Sequence, residues 1–511
     1  MTEGTASPPA ATGGTTAVVI GGGIAGLLAA WELTRSGHRV TLVEAREHLG
    51  GSVSARSIRS PEGRDIALDA GAESFAVRTP AVRALIEELG LGSAVVEPNP
   101  AGSWLFLGDR AVKAPRLGIL GIPGDLDAPE VSDALGAEAM TRARRDVDAP
   151  AASLAVWRQA LHDGGPVTVA SIVRDRMGEG VLRTLVAPVV GGVHSADPDD
   201  VDVRTVAPGL LEALVAEGSL SRAVRARRAA APPGAAVASL RGGMHTLTAA
   251  LIEALRGAGA RLLTGTEAVS LSREGRRWTV TLAGAGAGDG GAATSLPADR
   301  VVVATDGPRA WDLLAPVSNG ALTAADRPEE GAGVALVTLV VKAPGLDAHP
   351  RGTGLLVSPD VSHEVVGAKA LTHVTAKWGW VREELPAHHH VLRLSYGRVT
   401  DAPDSAAPGY RTPADTLRRQ GFEDASRLTG VDLTGAGAGS VVEPLVVRWK
   451  SALPAATTEH RERVRVMRTW LENENGLDAL GAWLAGTGLA AVVADVRQRM
   501  ARGSAVDGRE G

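Results

Sequence analysis

The chain has 511 residues, a formal net charge of −5, 44% hydrophobic and 3% aromatic residues, and no cysteine. That length and apolar content supply core material for more than one domain, and the charge balance gives no reason to expect nucleic acid or an anionic membrane as the main partner. Without cysteine there is no disulfide, no thiolate nucleophile and no cysteine-held metal.

The opening stretch MTEGTASPPAATGG lacks the basic and apolar regions of a secretory signal, so residues 1–14 read as a disordered tail. No run of about 18 apolar residues follows, which predicts no transmembrane helix and a cytoplasmic protein. Residues 17–20 (AVVI) are continuously apolar, the pattern of a strand buried on both faces. The run stops at Gly21, and Gly21, Gly23 and Gly26 fit G-x-G-x-x-G. The first glycine allows a tight turn, the second lets backbone approach a pyrophosphate, and the third lets helix and strand pack closely. Gly22, Ile24 and Ala25 fill the loop, and Ile24, Leu27, Leu28, Trp31 and Leu33 make much of the following helix apolar. Its N-terminus would present amide groups and a dipole to phosphate. Gly37 ends the helix, and a second strand over 39–43 delivers Glu44 to where a carboxylate accepts hydrogen bonds from a ribose. That acid argues against a 2′-phosphate. NAD and FAD both remain open on these residues.

Further along, 225–238 and 283–298 are rich in alanine, glycine and proline and read as surface loops. Residues 266–271 and 277–282 read as two short strands around SREG, and Val301 to Val303 as another buried strand. His388, His389 and His390 read as a solvated loop before the strand VLRLSYG, and His194 and His373 as core or rim histidines. No metal site and no Ser-His-Asp arrangement emerges from the spacing.

The glycine fingerprint runs on through Glu44 and Ala45 into REHLGGSVS, which resembles the extended FAD motif of amine oxidases, carotenoid desaturases and protoporphyrinogen oxidases. LDAGAESFAVRTP, LVAPVVGGVHSADPDDVDVRTVAPGL, SLRGGMHTLTAALIEAL, VVRWKSALPAATTEH and GLDALGAWLAGTGLAAVV resemble, in the same order, successive segments of the soluble bacterial coproporphyrinogen and protoporphyrinogen oxidases. This resemblance implies an α/β fold with a Rossmann-like FAD-binding domain, a mixed-sheet substrate domain and a helical lobe. The FAD domain would take 15–74, 236–307 and 441–502, the substrate domain 75–110 and 308–440, and the helical lobe 111–235, with 503–511 as a tail. It also implies that FAD accepts hydride from a porphyrinogen in successive two-electron steps and is reoxidised by O2 to give H2O2.

Residue by residue, the resemblance places Gly21, Gly22, Gly23, Ile24, Ala25 and Gly26 at the pyrophosphate, Glu44 and Ala45 at the adenosine ribose, and Ala268 at adenine. Ser52 follows the Gly-Gly pair where the family carries Arg or Lys, so one positive charge is missing. Gly71, Ala72, Glu73 and Ser74 would lie under the flavin. Trp449 and the turn Gly488, Leu489 and Ala490 would contact its ring and ribityl chain, although the family's Gly-Ile-Pro-Asp is here Gly488, Leu489, Ala490 and Ala491.

A porphyrinogen demands an apolar pocket with a basic rim. With so few aromatics, aliphatic walls from 182–193 and 334–341 are expected. The candidates for propionate capture are Arg78, Arg176 and Lys377, with Arg174 and Arg183 behind them. No catalytic base is assigned, since the chemistry belongs to the flavin. Coproporphyrinogen III is the favoured substrate and protoporphyrinogen IX the runner-up, with transient contact to ferrochelatase. The alternatives are another amine-oxidase-like enzyme or a catalytically degenerate flavin-binding partner. Two tyrosines and three phenylalanines do not furnish an amine cage.

Overall fold

The apolar run after Thr15 forms β1 (Thr16–Ile20), buried along nearly its whole length. The glycine turn leads into α1 (Ile24–Arg35), and Gly37, at φ +87°, lets the chain reverse into β2 (Arg39–Val43), parallel to β1. The computed structural model describes residues 15–507 except 60–62, 64, 195, 231–235, 285–293, 331, 399–400, 402–405, 435–438, 441 and 454–456. Strands Arg261–Leu263, Arg300–Val303 and Leu477–Ala479 complete a parallel sheet in the order 261–263, β2, β1, 300–303, 477–479. Parallel strands need coverage on both faces. One face carries α1, the helix His245–Gly257 and the helix beginning at Leu489. The other carries an antiparallel layer of strands Thr266–Glu274, Arg277–Gly284 and Thr294–Ala298, closed by Trp311 and Trp470.

Several expected loops are structured. The two strands around SREG extend into it, leaving Gly275 (φ +60°) and Arg276 as the turn. Residues 294–298, expected in a surface loop, form a strand, because Ala298 fills the core that Trp278 and Val280 also fill. The stretch 225–238 is helical up to Ala229 and enters a strand at Val237, with 231–235 outside the described residues.

The second sheet is mixed. Strands Ala332–Lys342, His389–Tyr396, Ala370–His373 and Gly354–Val357 run antiparallel to one another, and Trp104–Leu107 joins parallel at Gly354–Val357. One face is covered by the helix Ala414–Thr429, which buries Val337, Leu339, Leu371, Leu394 and Tyr396. The strand Leu445–Leu453, expected in the FAD domain, pairs instead with Ala332–Lys342. The helix Ala81–Glu88, expected in the substrate domain, packs into the core of the first sheet through Val82, Leu85 and Ile86. Helix Gly307–Leu314 does likewise through Trp311 and Leu313. A third core belongs to helices between residues 129 and 229. The C-terminal helix Leu489–Asp507 runs through the start of the expected tail at 503–511.

Candidate active site

The glycines after β1 are each required for a different reason. A side chain at Gly26 would bring Cβ to 1.9 Å from the Gly21 carbonyl oxygen, and one at Gly21, already at φ +106°, would meet the Ala304 carbonyl at 2.5 Å. Both are forced by packing within the chain. Around Gly23, by contrast, no atom of the other described residues lies within 4 Å of the position a Cβ would take, its chain neighbours aside. Gly23 is also the N-cap of α1, and among the described residues no side chain caps the first amides of this 12-residue helix. An unfilled cradle before a helix N-terminus fits a pyrophosphate.

Neighbouring residues close around this cradle. The Gly50–Gly51 pair folds back on it: Gly50 N–H donates to the Gly22 carbonyl at 2.8 Å, and a Cβ on Gly51 would lie 3.0 Å from Gly23 Cα. Glu44 sits at the end of β2, accepting from Gly22 N–H at 2.7 Å and Arg46 N–H at 2.9 Å, with Ala45 exposed beside it. Ala268 is buried, and its carbonyl accepts from Arg309 at 2.7 Å. Gly488 (φ +100°) opens the last helix, and Leu489 and Ala490 pack in the same core as α1.

The segment 69–74 joins the two sheets. The Trp449 indole N–H donates to the Ala70 carbonyl at 2.8 Å, and a Cβ on Gly71 would meet the Ser52 carbonyl at 2.4 Å and the Trp449 nitrogen at 3.2 Å. What crowds Gly71 is therefore this chain's own Ser52 and Trp449. Ala72 N–H donates to the same Ser52 carbonyl at 2.9 Å. The Ser52 side chain is exposed, and the nearby cation is Arg46, whose guanidinium lies 5.4 Å from the Trp449 ring centre. Glu73 pairs with both Lys377 and Arg393. Burial works against its charge, but Arg393 and then Lys377 more than offset this and hold its carboxyl down at about 2. Arg393 also donates to the carbonyls of Asp69 at 3.3 Å and Gly71 at 3.1 Å, which fixes the segment. Ser74 is half-buried next to it.

Above this segment the face of the second sheet opposite the helix Ala414–Thr429 carries a row of directly opposed residues: Val447, Leu336, Ser395, Ala370 and Leu356. Opposed residues share a face and adjacent strands lie ~4.8 Å apart, so the row spans roughly 19 Å. Leu336, Ser395, Ala370 and Leu356 are half-buried, whereas their neighbours facing the covering helix are fully buried. At one end Leu336 packs against Ala70, Val447 and Trp449. At the other, Leu356 packs against the helical lobe and occupies the space a Cβ on Gly192 would need. The row is a mainly aliphatic floor running from the glycine segment to the lobe.

The expected propionate ligands separate here. Arg176 is 3% exposed and serves the lobe's core, donating to Asp146 at 2.9 Å, Ser153 at 2.8 Å and the Gly218 carbonyl at 3.0 Å. It is structural, and its expected role in substrate binding is corrected. Lys377 is spent on Glu73. Arg174 pairs with Glu179 and Asp199, and Arg183 with Asp360. Arg78 is exposed before the helix Ala81–Glu88.

Of the histidine triplet, His388 is exposed in a turn, as a solvated loop would have it, whereas the next two are buried. His389 opens a strand and His390 is fully buried, bonded to Asp347 at 3.0 Å and His373 at 3.0 Å. Among the described residues, no group of three or more His, Asp or Glu side chains is placed to hold a metal ion. Arg393 and Arg46 escaped the sequence reading. The signal for Arg393 was an arginine on the strand VLRLSYG, which alternation puts on the same face as Ser395.

The flavin-containing amine oxidoreductase family matches residues 24–476. The chain belongs to that family. Coproporphyrinogen III oxidase of Mycobacterium tuberculosis is 30% identical over 486 residues, 93% of this chain and 94% of the relative. The enzyme of that name from Propionibacterium freudenreichii is 28% identical over 94% of this chain and 89% of its own length. A solved structure from Exiguobacterium sp. 255-15, named for protoporphyrinogen oxidase, superposes with a TM-score of 0.79 at 22% identity, covering 97% of this chain and 99% of that one. The family brings a flavin cofactor and an oxidoreductase activity, and the fold is that of the amine oxidase and protoporphyrinogen oxidase type. No described helix is long and apolar enough to cross a membrane.

Proposed function

We propose that the chain holds FAD and oxidises coproporphyrinogen III to coproporphyrin III, with O2 as final acceptor and H2O2 as co-product. The observation that carries this reading is the 30% identity, over 93% of the chain, to coproporphyrinogen III oxidase of Mycobacterium tuberculosis. In this reading the space at Gly23 takes the pyrophosphate, with Gly21, Gly22, Ile24, Ala25 and Gly26 shaping it. Glu44 and Ala45 meet the adenosine ribose, and Ala268 borders the adenine. Ser52, Gly71, Ala72, Glu73, Ser74 and Trp449 lie against the ring system, with Gly488, Leu489 and Ala490 at the ribityl side.

When bound, the flavin supplies the hydride acceptor and the route to O2. The chain's own residues position the substrate. The Leu336–Leu356 row presents a largely aliphatic surface to the tetrapyrrole, and the lobe behind Gly192 keeps bulk water from it. Arg393 and Lys377, both paired with Glu73, hold the 69–74 segment rigid, so that the reacting edge meets a fixed backbone.

The test is anaerobic mixing of the FAD-loaded protein with coproporphyrinogen III, followed by oxygen. Loss of the flavin absorbance, then peroxide and porphyrin fluorescence, is the expected outcome. A flavin that stays oxidised in excess coproporphyrinogen overturns the reading, and bleaching by protoporphyrinogen IX alone moves the substrate to that compound.

A further inference from the structure

A cavity of about 290 Å³ opens off the lobe end of the Leu336–Leu356 row. Its wall on one side is the helical run 179–194, which passes through wide π-helical turns at Leu182–Val186 and Val190–His194 and thins to Gly191 and Gly192. Such turns recur where a helix is shaped for function rather than for packing alone. On the other side stand Val357, Lys369 and Arg398, at the ends of the second sheet's strands. Gly192 lines the cavity and is also where Leu356 of the row packs against the lobe, so the cavity lies next to the lobe end of the row.

We propose that this cavity is a carboxylate subsite in which Arg398 and Lys369 bind a propionate of the porphyrinogen. It rests on the activity proposed above and adds a determinant of substrate choice.

The donor geometry of Arg398 points to a carboxylate. Its Nη1 donates to the carbonyls of Pro359 at 3.1 Å and Val361 at 3.2 Å, which fixes the plane of the guanidinium. Its Nε and Nη2 are buried, with no hydrogen-bond partner among the described residues. Those two nitrogens form one edge of the fork, the edge that a carboxylate meets with both oxygens at once. The nearby Asp401 is already engaged, by Arg398's own backbone N–H at 2.8 Å and by His363 at 2.8 Å. Lys369 is 4% exposed, and burial pushes its ammonium down to about 8, with Arg398 adding to the shift and Asp401 opposing it. An incoming carboxylate offsets both effects.

Of the cavity's other charges, Arg174 is held in ion pairs with Glu179 and Asp199, Arg183 in one with Asp360, and the Asp197 carboxylate accepts from the backbone N–H of Asp199 at 2.9 Å. Among the described residues, Arg398 keeps an uncommitted donor edge. Coproporphyrinogen III carries four propionates where protoporphyrinogen IX carries two and two vinyl groups, so a carboxylate subsite at the edge remote from the flavin favours the former.

Binding of coproporphyrin III and of protoporphyrin IX, followed by flavin fluorescence quenching or porphyrin emission, tests this in the FAD-loaded protein and in Lys369→Gln and Arg398→Gln. Loss of one charge-assisted contact predicts coproporphyrin III binding weakened about tenfold, with KM for coproporphyrinogen III raised to match at unchanged kcat. Protoporphyrin IX binding stays within about twofold. Should Arg398→Gln not fold, because it also loses the Pro359 and Val361 contacts, Lys369→Gln decides. Coproporphyrin III binding that is unchanged, or that weakens equally with protoporphyrin IX, overturns the subsite. If Lys369→Gln weakens coproporphyrin III binding selectively while no porphyrinogen bleaches the flavin, the subsite stands and the proposed activity falls.

Discussion

The glycine turn after β1 and the cavity beside Arg398 both offer donors to an anion, and they are built in opposite ways. The first comes from one continuous stretch, where strand, turn and helix follow from periodicity and glycine spacing, and its donors are backbone amides. The second gathers side chains from residues 174–199, 357–369 and 398, which only the packed sheet and lobe bring together. A backbone site tolerates change in side chains but not in glycines. A side-chain site tolerates neither loss of charge nor a shift of its supporting strands.

The sharpest way to break that contrast lies within the turn itself. Gly26→Ala places a methyl 1.9 Å from the Gly21 carbonyl, a backbone collision no rotamer relieves. It should cost at least about 3 kcal/mol, seen as a large drop in the denaturant midpoint. Gly23→Ala points its methyl into open space, so stability should change by less than about 1 kcal/mol while flavin is lost on dialysis. If Gly23→Ala keeps its flavin as firmly as the parent protein, the space at Gly23 is not the cofactor's.

Next in size is the arginine that sequence reasoning sends to the substrate. Arg176→Met strands Asp146 in the core of the lobe, where Ser219 Oγ and the N–H groups of Leu220 and Ser221 are its remaining donors. Breaking a buried pair from one side costs about 3–5 kcal/mol. The protein that still folds should show the parent KM for porphyrinogen. A raised KM would return Arg176 to the site.

What the sequence made legible tracks how local each feature is. The order β1, α1, β2 and the acid at Glu44 were readable because all lie within one βαβ unit. The placement of 445–453 was not, since a strand of alternating apolar residues carries no mark of which sheet it will join, and only pairing with Ala332–Lys342 decides it. Residues 294–298 looked like loop because glycine and alanine dominate the preceding stretch, yet burial of Ala298 fixes them as a strand. The histidine triplet misled for a related reason. Polarity suggested solvent, whereas Asp347, 41 and 43 residues earlier in the chain, supplies the partner that lets His388 and His390 sit where they do.

Glu73 offers a smaller effect that separates the two regions by pH. Its carboxyl, at about 2 in the folded chain, lies below the usual carboxylate value of about 4.3, so its stabilisation is present above that range and disappears as pH falls toward 2. Glu73→Gln should remove about 2 kcal/mol at neutral pH and flatten the stability profile below pH ~4.5, leaving two cations without their counter-charge. An unchanged acid limb would show that Arg393 and Lys377 find other partners.

The smallest expected effect lies at the far end of the second sheet. His373 is held down to about 3 and His390 to about 4, in both cases chiefly by burial, with Asp347 pulling His390 the other way. Unfolded histidine titrates near 6.5, so below that pH the unfolded chain binds more protons than the native one. The stabilisation from keeping these rings neutral is complete above about 6.5 and is lost as pH falls toward 4. The two rings share one hydrogen bond, and between pH 7 and 5 each ring kept neutral should contribute about 1 kcal/mol per pH unit to the slope. Urea midpoints between pH 7 and 5 measure it, and His390→Gln should reduce the slope while leaving flavin bleaching untouched. A slope that survives this change would place the acid sensitivity in other groups, and a change in flavin bleaching would mean that this end of the sheet communicates with the active site.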